Sequence, residues 1–220
     1  MKKNPVTVVQ CWDDGVTTDE RLVDILRRHN ALASFNLCAG LHDRKRTFGW
    51  VHRGTEVWRL GTEEMKTLYH GFTIASHSLT HPWLDRIDSG SARREITEGR
   101  LRLQDLFGQP VHGFAYPFGS YSQAVMNLVR EAGHVYARTS ESTGRPFPPE
   151  DPMAFHPSCH FLAPDFRSRY EEAKECGLFY FWGHSYEMIN EGMWEAFEHM
   201  IRSISADPRA RWGNLPDLFD

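Results

Sequence analysis

Short apolar runs alternate with stretches of helical period along the whole chain. Val6 to Cys11 reads as a buried strand. Thr17-Thr18-Asp19-Glu20 then offers capping-box spacing, with Glu20 three residues after Thr17. The helix it predicts buries Leu22, Ile25, Leu26 and His29 at i, i+3, i+4 and i+7. Ala33 to Leu37 is a second strand. Residues 42 to 60 are charged and turn-rich, which predicts a surface hairpin and not a core element. Thr62 is placed to cap a short helix ending near Gly71, and Phe72 to Ser76 forms strand three. From Ser91 to Phe107, Ala92, Ile96, Leu103, Leu106 and Phe107 keep helical period, and Gly108 with Pro110 stops the helix. Val111 to Tyr116 is strand four, Ser122 to Ala132 a helix closed by Gly133, and His134 to Arg138 strand five. Arg145 to Pro152 is a Pro-rich loop. Phe155 to Phe161 and Leu178 to Trp182 are strands six and seven, each followed by a helix, the last from Glu191 to Ile204. Seven strand-then-helix units predict one parallel α/β domain over residues 1–220, closed or nearly closed into a barrel.

Composition narrows the class of function. The 220 residues carry 25 Lys and Arg against 29 Asp and Glu, a net charge of −4, so binding to a phosphate backbone is disfavoured. Apolar residues at 40% and charged residues at 25% lie far from the disordered range. No apolar stretch approaches the roughly 18 residues that a membrane span needs. A soluble protein without nucleic-acid or membrane partners is expected, with a cytoplasmic location because residues 1–9 lack an export-signal core. Cys11, Cys38, Cys159 and Cys176 make no C-x-x-C pair and read as buried thiols.

In parallel α/β folds, reactive side chains gather where strands end. Four strand ends here carry candidates: Asp13-Asp14-Gly15, His77 to Pro82, Tyr116-Pro117-Phe118-Gly119, and Trp182-Gly183-His184. His77 and His81 can share a divalent ion if the chain between them turns tightly, with Pro82 opening the next helix. His156 and His160 repeat the spacing, but on an extended strand they would stand about 13 Å apart, too far to chelate one ion. Adjacent carboxylates at a strand end point opposite ways, so one of Asp13 and Asp14 can bind the ion while the other serves a water as base. An imidazole near neutral pH can protonate a leaving group, and His184 is the candidate.

These motifs, in this order, resemble the NodB homology domain of polysaccharide deacetylases, the carbohydrate esterase group. Asp13-Asp14-Gly15 is similar to the family's T-F-D-D-G with Cys11 and Trp12 replacing Thr and Phe. His77 to His81 matches H-[ST]-x-x-H, Ala115 to Gly119 resembles R-x-P-Y-G, and Trp182-Gly183-His184 falls on L-x-H. The resemblance spans Val6 to about residue 204 and implies a distorted (β/α)7 barrel. It implies that Asp13 is the base, that Asp14, His77 and His81 bind a divalent metal, most simply Zn2+, and that His184 is the acid. It further implies an oxyanion donor in the Phe118 N–H, with Tyr116 and Trp182 at substrate-contact positions. The substrate it implies is an N- or O-acetylated carbohydrate, with an allantoinase-like small amide or ureide as the alternative. A catalytically silent, metal-containing glycan binder is a further reading.

Three departures stand out. Ala115 occupies the place of an Arg that pairs with the base, Trp182 replaces a Leu that walls the acyl pocket, and no D-x-x-D-W is found. His160 or Glu187, near strand ends six and seven, are the candidates to support His184 in place of that motif's Asp.

Overall fold

In the computed structural model, which describes residues 5–219, a parallel sheet curls into a distorted barrel with helices packed outside it. Its strands are β1 (Val6–Asp13), β2 (Ser34–Leu37), β5 (Thr73–Ser76), β6 (Gly113–Ala115), β7 (Tyr136–Arg138), β8 (Cys159–His160), β9 (Leu178–Gly183) and β10 (Ala210–Trp212). Along the sheet the order is β7-β6-β5-β2-β1-β9-β8, with β10 beside the first residues of β1. A separate antiparallel hairpin, β3 (Thr47–His52) and β4 (Thr55–Arg59), lies where the charged insertion is expected. The helices are α1 (Asp19–Arg28), α2 (Thr62–Leu68), α3 (Ser89–Phe107), α4 (Gln123–Glu131), α5 (Phe166–Cys176) and α6 (Glu191–Ser205). None of the described helices is long and apolar enough to cross a membrane.

Strand alternation sorts β1 into two cores. Val6, Val8 and Trp12 join Leu22, Ile25, Leu26, Phe161 and Phe197 in the layer between sheet and helices. Val9 and Cys11 face the other way, into a packed lumen with Tyr136, Phe155, Leu178, Tyr180 and Leu215. Phe219 closes this lumen by stacking on Tyr136 at 5.2 Å. Asp13 continues the inward row and is 1% exposed, so the packed lumen leads up to a buried carboxylate at the strand's C-terminal end.

Several expectations need correction. Strand six is not a seven-residue run. Phe155 bridges to Arg138 of β7, while Cys159 and His160 pair with β9, so one segment spans the gap between two strands through separate short contacts. Pro157 between these contacts cannot donate to a ladder, which accounts for the break. Thr17 does not cap α1. The helix starts at Asp19 behind Thr18, whose hydroxyl meets Ser185 instead of its own helix. His29 is only partly buried and meets Glu198 at 3.4 Å. Gly61, not Thr62, precedes α2, and the Glu64 side chain accepts its N–H at 3.0 Å. Pro82 does not open a helix; a single 3-10 turn at Leu84–Arg86 intervenes before α3. Cys176 is exposed, whereas the other three cysteines are buried thiols. Strand β10 was not anticipated.

Candidate active site

A cavity of about 350 Å³ opens at the C-terminal ends of the strands. Asp13, Asp14, His77, His81 and His184 line it together with Tyr116, Phe118 and Trp182. All eight of these anticipated positions therefore meet in one place.

The turn from His77 to His81 is built by backbone strain and local caps. Ser78 and His81 both have positive φ, 65° and 62°, a region costly for residues with a Cβ. The Ser78 hydroxyl accepts the His81 N–H at 2.9 Å. Glu95 of α3 accepts the Leu79 and Thr80 N–H groups at 3.0 and 2.7 Å, and the Thr80 hydroxyl at 2.6 Å. The turn that results is not helical, yet it brings the two Nε2 atoms within 3.1 Å. His77 donates its Nδ1–H to the Ala115 carbonyl at 2.7 Å, which leaves the Nε2 lone pair free for an ion. Asp14 also sits at positive φ, 83°, and places a carboxylate oxygen within 4.8 Å of both imidazoles. Two imidazoles and one carboxylate converging with an unprotonated nitrogen fit a zinc-type ion. Burial, with the neighbouring His77, lowers His81 to about 4, so that its neutral, ligating form prevails.

Asp13 is gripped from two other strands. Asn36 of β2, its register partner, donates at 2.6 Å to one oxygen, and Arg138 of β7 donates at 2.5 Å to the other. Burial alone would raise this carboxyl. Arg138, then His77 and His184, with the Asn36 hydrogen bond, outweigh it and hold the group at about 2. Arg138 pairs in register with Ala115 across β6 and β7. The guanidinium absent at position 115 is thus supplied from one strand over, and its carbon lies 4.3 Å from the centre of the Trp182 ring. Neither Asn36 nor Arg138 was anticipated as a site residue. The available signal was a charged residue ending an apolar strand beside the strand that lacks its Arg.

His184 faces the cavity with Nε2, 3.8 Å from Asp13 and 4.0 Å from Asp14. Behind it, one Glu187 oxygen meets its Nδ1 at 3.1 Å, its backbone N–H at 3.1 Å, and His160 Nε2 at 2.9 Å. His160 accepts the Leu162 N–H on Nδ1, which fixes its tautomer with the proton on Nε2 toward Glu187. Burial disfavours the protonated form of His184, but Glu187, Asp13 and Asp14 together raise its pKa. The same two histidines, against burial, hold Glu187 well below the usual carboxylate range. Glu187 thus touches both His184 and His160, so the two residues expected as alternatives behind His184 are in contact with each other.

Phe118 adopts positive φ, 59°, at the cavity wall, and its ring stacks on Trp83 at 4.2 Å with a 5° tilt. Arg86 covers Trp83 at 3.9 Å. Tyr116 is fixed by its hydroxyl bond to the Met153 carbonyl at 2.8 Å. On another side, Tyr186 lines the cavity and meets Trp50 and His52 of the hairpin, each at 5.1 Å.

The polysaccharide deacetylase family matches residues 1–137. The chain belongs to that family. Among curated relatives, YxkH of Bacillus subtilis (strain 168) is 22% identical to this deacetylase-family chain over 142 residues, 64% of the chain and 47% of YxkH. The chain therefore spans about half of that relative's length. Among solved structures, the Xyl-CE4 domain of a multidomain xylanase from the hindgut metagenome of Trinervitermes trinervoides shares the fold at TM-score 0.62 and 16% identity, covering 98% of this chain and 90% of that one. BA3943 of Bacillus anthracis, a CE4 family pseudoenzyme, is equally similar at TM-score 0.62 and 16% identity, covering 99% and 66%. A pseudoenzyme shares this fold, so the fold by itself does not decide activity.

Proposed function

We propose that this chain is a metal-dependent deacetylase that removes acetyl groups from N- or O-acetylated carbohydrate. The observation that carries the reading is the convergence of Asp14, His77 and His81 on one point of the cavity, with Asp13 and His184 beside it. Asp14, His77 and His81 would hold the ion, for which Zn2+ suits the donor set. When bound, such an ion acidifies water toward a pKa of about 7 and polarises an acyl carbonyl.

The remaining work falls to the protein. Asp13, kept ionised by Arg138, accepts the proton of the attacking water; a carboxylate this weakly basic does so only from a strongly acidified water. The Phe118 N–H, at the end of the Tyr116-Pro117 turn, is the donor toward the developing oxyanion. His184, raised in pKa and oriented by Glu187, protonates the departing amine or hydroxyl. Trp182, fixed between Arg138 and His160, walls the acyl side.

The test is acetate release from a panel of N-acetylglucosamine oligomers and O-acetylated sugars. Zinc-loaded protein should release acetate, chelator-stripped protein should not, and added zinc should restore the rate. Metal-independent release, or none from any member of the panel, would overturn the reading.

A further inference from the structure

The hydroxyl groups of buried Tyr69 and Ser185 and of half-buried Thr18 form a chain around Asp19, the first residue of α1. Asp19 is fully buried, and among the described residues no cation pairs with it. Its carboxylate accepts a hydrogen bond from the Ser185 hydroxyl on one oxygen and from Tyr69, at 2.6 Å, on the other. With the Ser185 proton committed to Asp19, Thr18 donates to the Ser185 oxygen across 2.7 Å.

A carboxylate placed this way is costly. Burial raises the group to about 7 although the Ser185 and Tyr69 bonds pull the other way. The start of a helix favours an acid, but exposed Glu20 beside it meets that preference without burial. The positions of the three hydroxyl groups are more telling. Ser185 directly follows His184, Thr18 belongs to the loop that follows Asp13 and Asp14, and Tyr69 ends α2. The network therefore joins the two loops that carry the base and the acid.

We propose that Asp19 is a positioning residue that acts through Ser185 to hold the loop after β9, and with it His184, against the loop after β1. This rests on the reading of His184 as the acid. Its product is the geometry already described, with His184 Nε2 3.8 Å from Asp13 and Nδ1 on Glu187.

The experiment compares Asp19→Asn, Ser185→Ala and Tyr69→Phe in the zinc-loaded protein. Exchange of the His184 Nδ1 proton is followed by ¹⁵N NMR, alongside kcat and KM on an N-acetylglucosamine trimer. Asp19→Asn and Ser185→Ala should speed that exchange and lower kcat by roughly 10- to 100-fold each, with KM held within about twofold. Tyr69→Phe removes an equally buried bond to the other Asp19 oxygen, one that does not run through Ser185, and should change exchange and kcat by less than about threefold. Unaltered Nδ1 exchange in Ser185→Ala would overturn the proposal, as would equal effects in all three variants that simply follow lost thermal stability. If His184→Ala keeps wild-type turnover, the acid assignment fails instead, and the exchange data still decide whether Asp19 positions the ring.

Discussion

Two pairs of histidines share one spacing in this chain and end in opposite arrangements. His77 and His81 converge until their Nε2 atoms stand 3.1 Å apart. His156 and His160 part company: the first meets the Thr139 hydroxyl at 2.6 Å, and the second meets Glu187 at 2.9 Å. The difference lies in the backbone. Positive φ at Ser78 and His81, held by the Ser78 hydroxyl and Glu95, folds the first segment back on itself. Residues 155–160 instead bridge to β7 at Phe155 and pair with β9 at Cys159 and His160. A spacing of four becomes a chelating pair only where neighbouring groups sustain that fold.

The contrast can be broken most severely at the ligands. His81→Ala should lose its metal and, with it, several kcal/mol of transition-state stabilisation, on the order of 10³-fold in rate. Metal analysis and acetate release on the same sample check this. Next in size is an attack on the turn from outside. A Cβ at Gly99 of α3 would come within 2.8 Å of the Ser78 carbonyl carbon and 2.9 Å of the Leu79 nitrogen, both backbone atoms. Gly99→Ala should therefore cost about 1–3 kcal/mol of stability and weaken metal retention, read by denaturant unfolding and zinc titration.

The divergent pair can be tested through its anchor. Glu187 has a depressed pKa in the folded chain, so its contribution to stability is present above the ordinary value of 4.5 and lost as pH falls below it. Glu187→Gln should lower Tm at pH 6 by the equivalent of about 1.5–3 kcal/mol, the worth of hydrogen bonds to a charged group, and the gap should close as the medium is acidified below 4.5. The smallest effect is expected at His156. Its replacement by Ala should cost about 1 kcal/mol for one hydrogen bond to Thr139 and leave metal content unchanged. Loss of metal in His156→Ala would remove the distinction between the pairs.

The same contrast explains what could be read from the chain alone. Asp13-Asp14, His77 with His81, and His184 were legible because each sits at the end of its own strand, where local pattern decides. Asn36 and Arg138 lie 23 and 125 positions from Asp13 and reach it only through sheet register. No periodicity reports such a partnership. The shift of the guanidinium from the level of Ala115 to Arg138 is visible only once β6 and β7 are aligned. Strand six departs from its expected length for a related reason, since an apolar run does not reveal that its two ends pair with different neighbours. Thr17 failed as a cap because Thr18 and Asp19 were drawn into contacts with Ser185, a tertiary demand that outweighs local capping.

In the proposed reaction a water held in this cavity attacks an acyl carbonyl with Asp13 as its base. Acetate release by Asp13→Asn, with metal content measured in the same preparation, tests it most directly. The account predicts that metal stays near one equivalent while release falls by about 10²- to 10⁴-fold, the range for a lost general base. Release at the wild-type rate from a metal-loaded Asp13→Asn protein would contradict it.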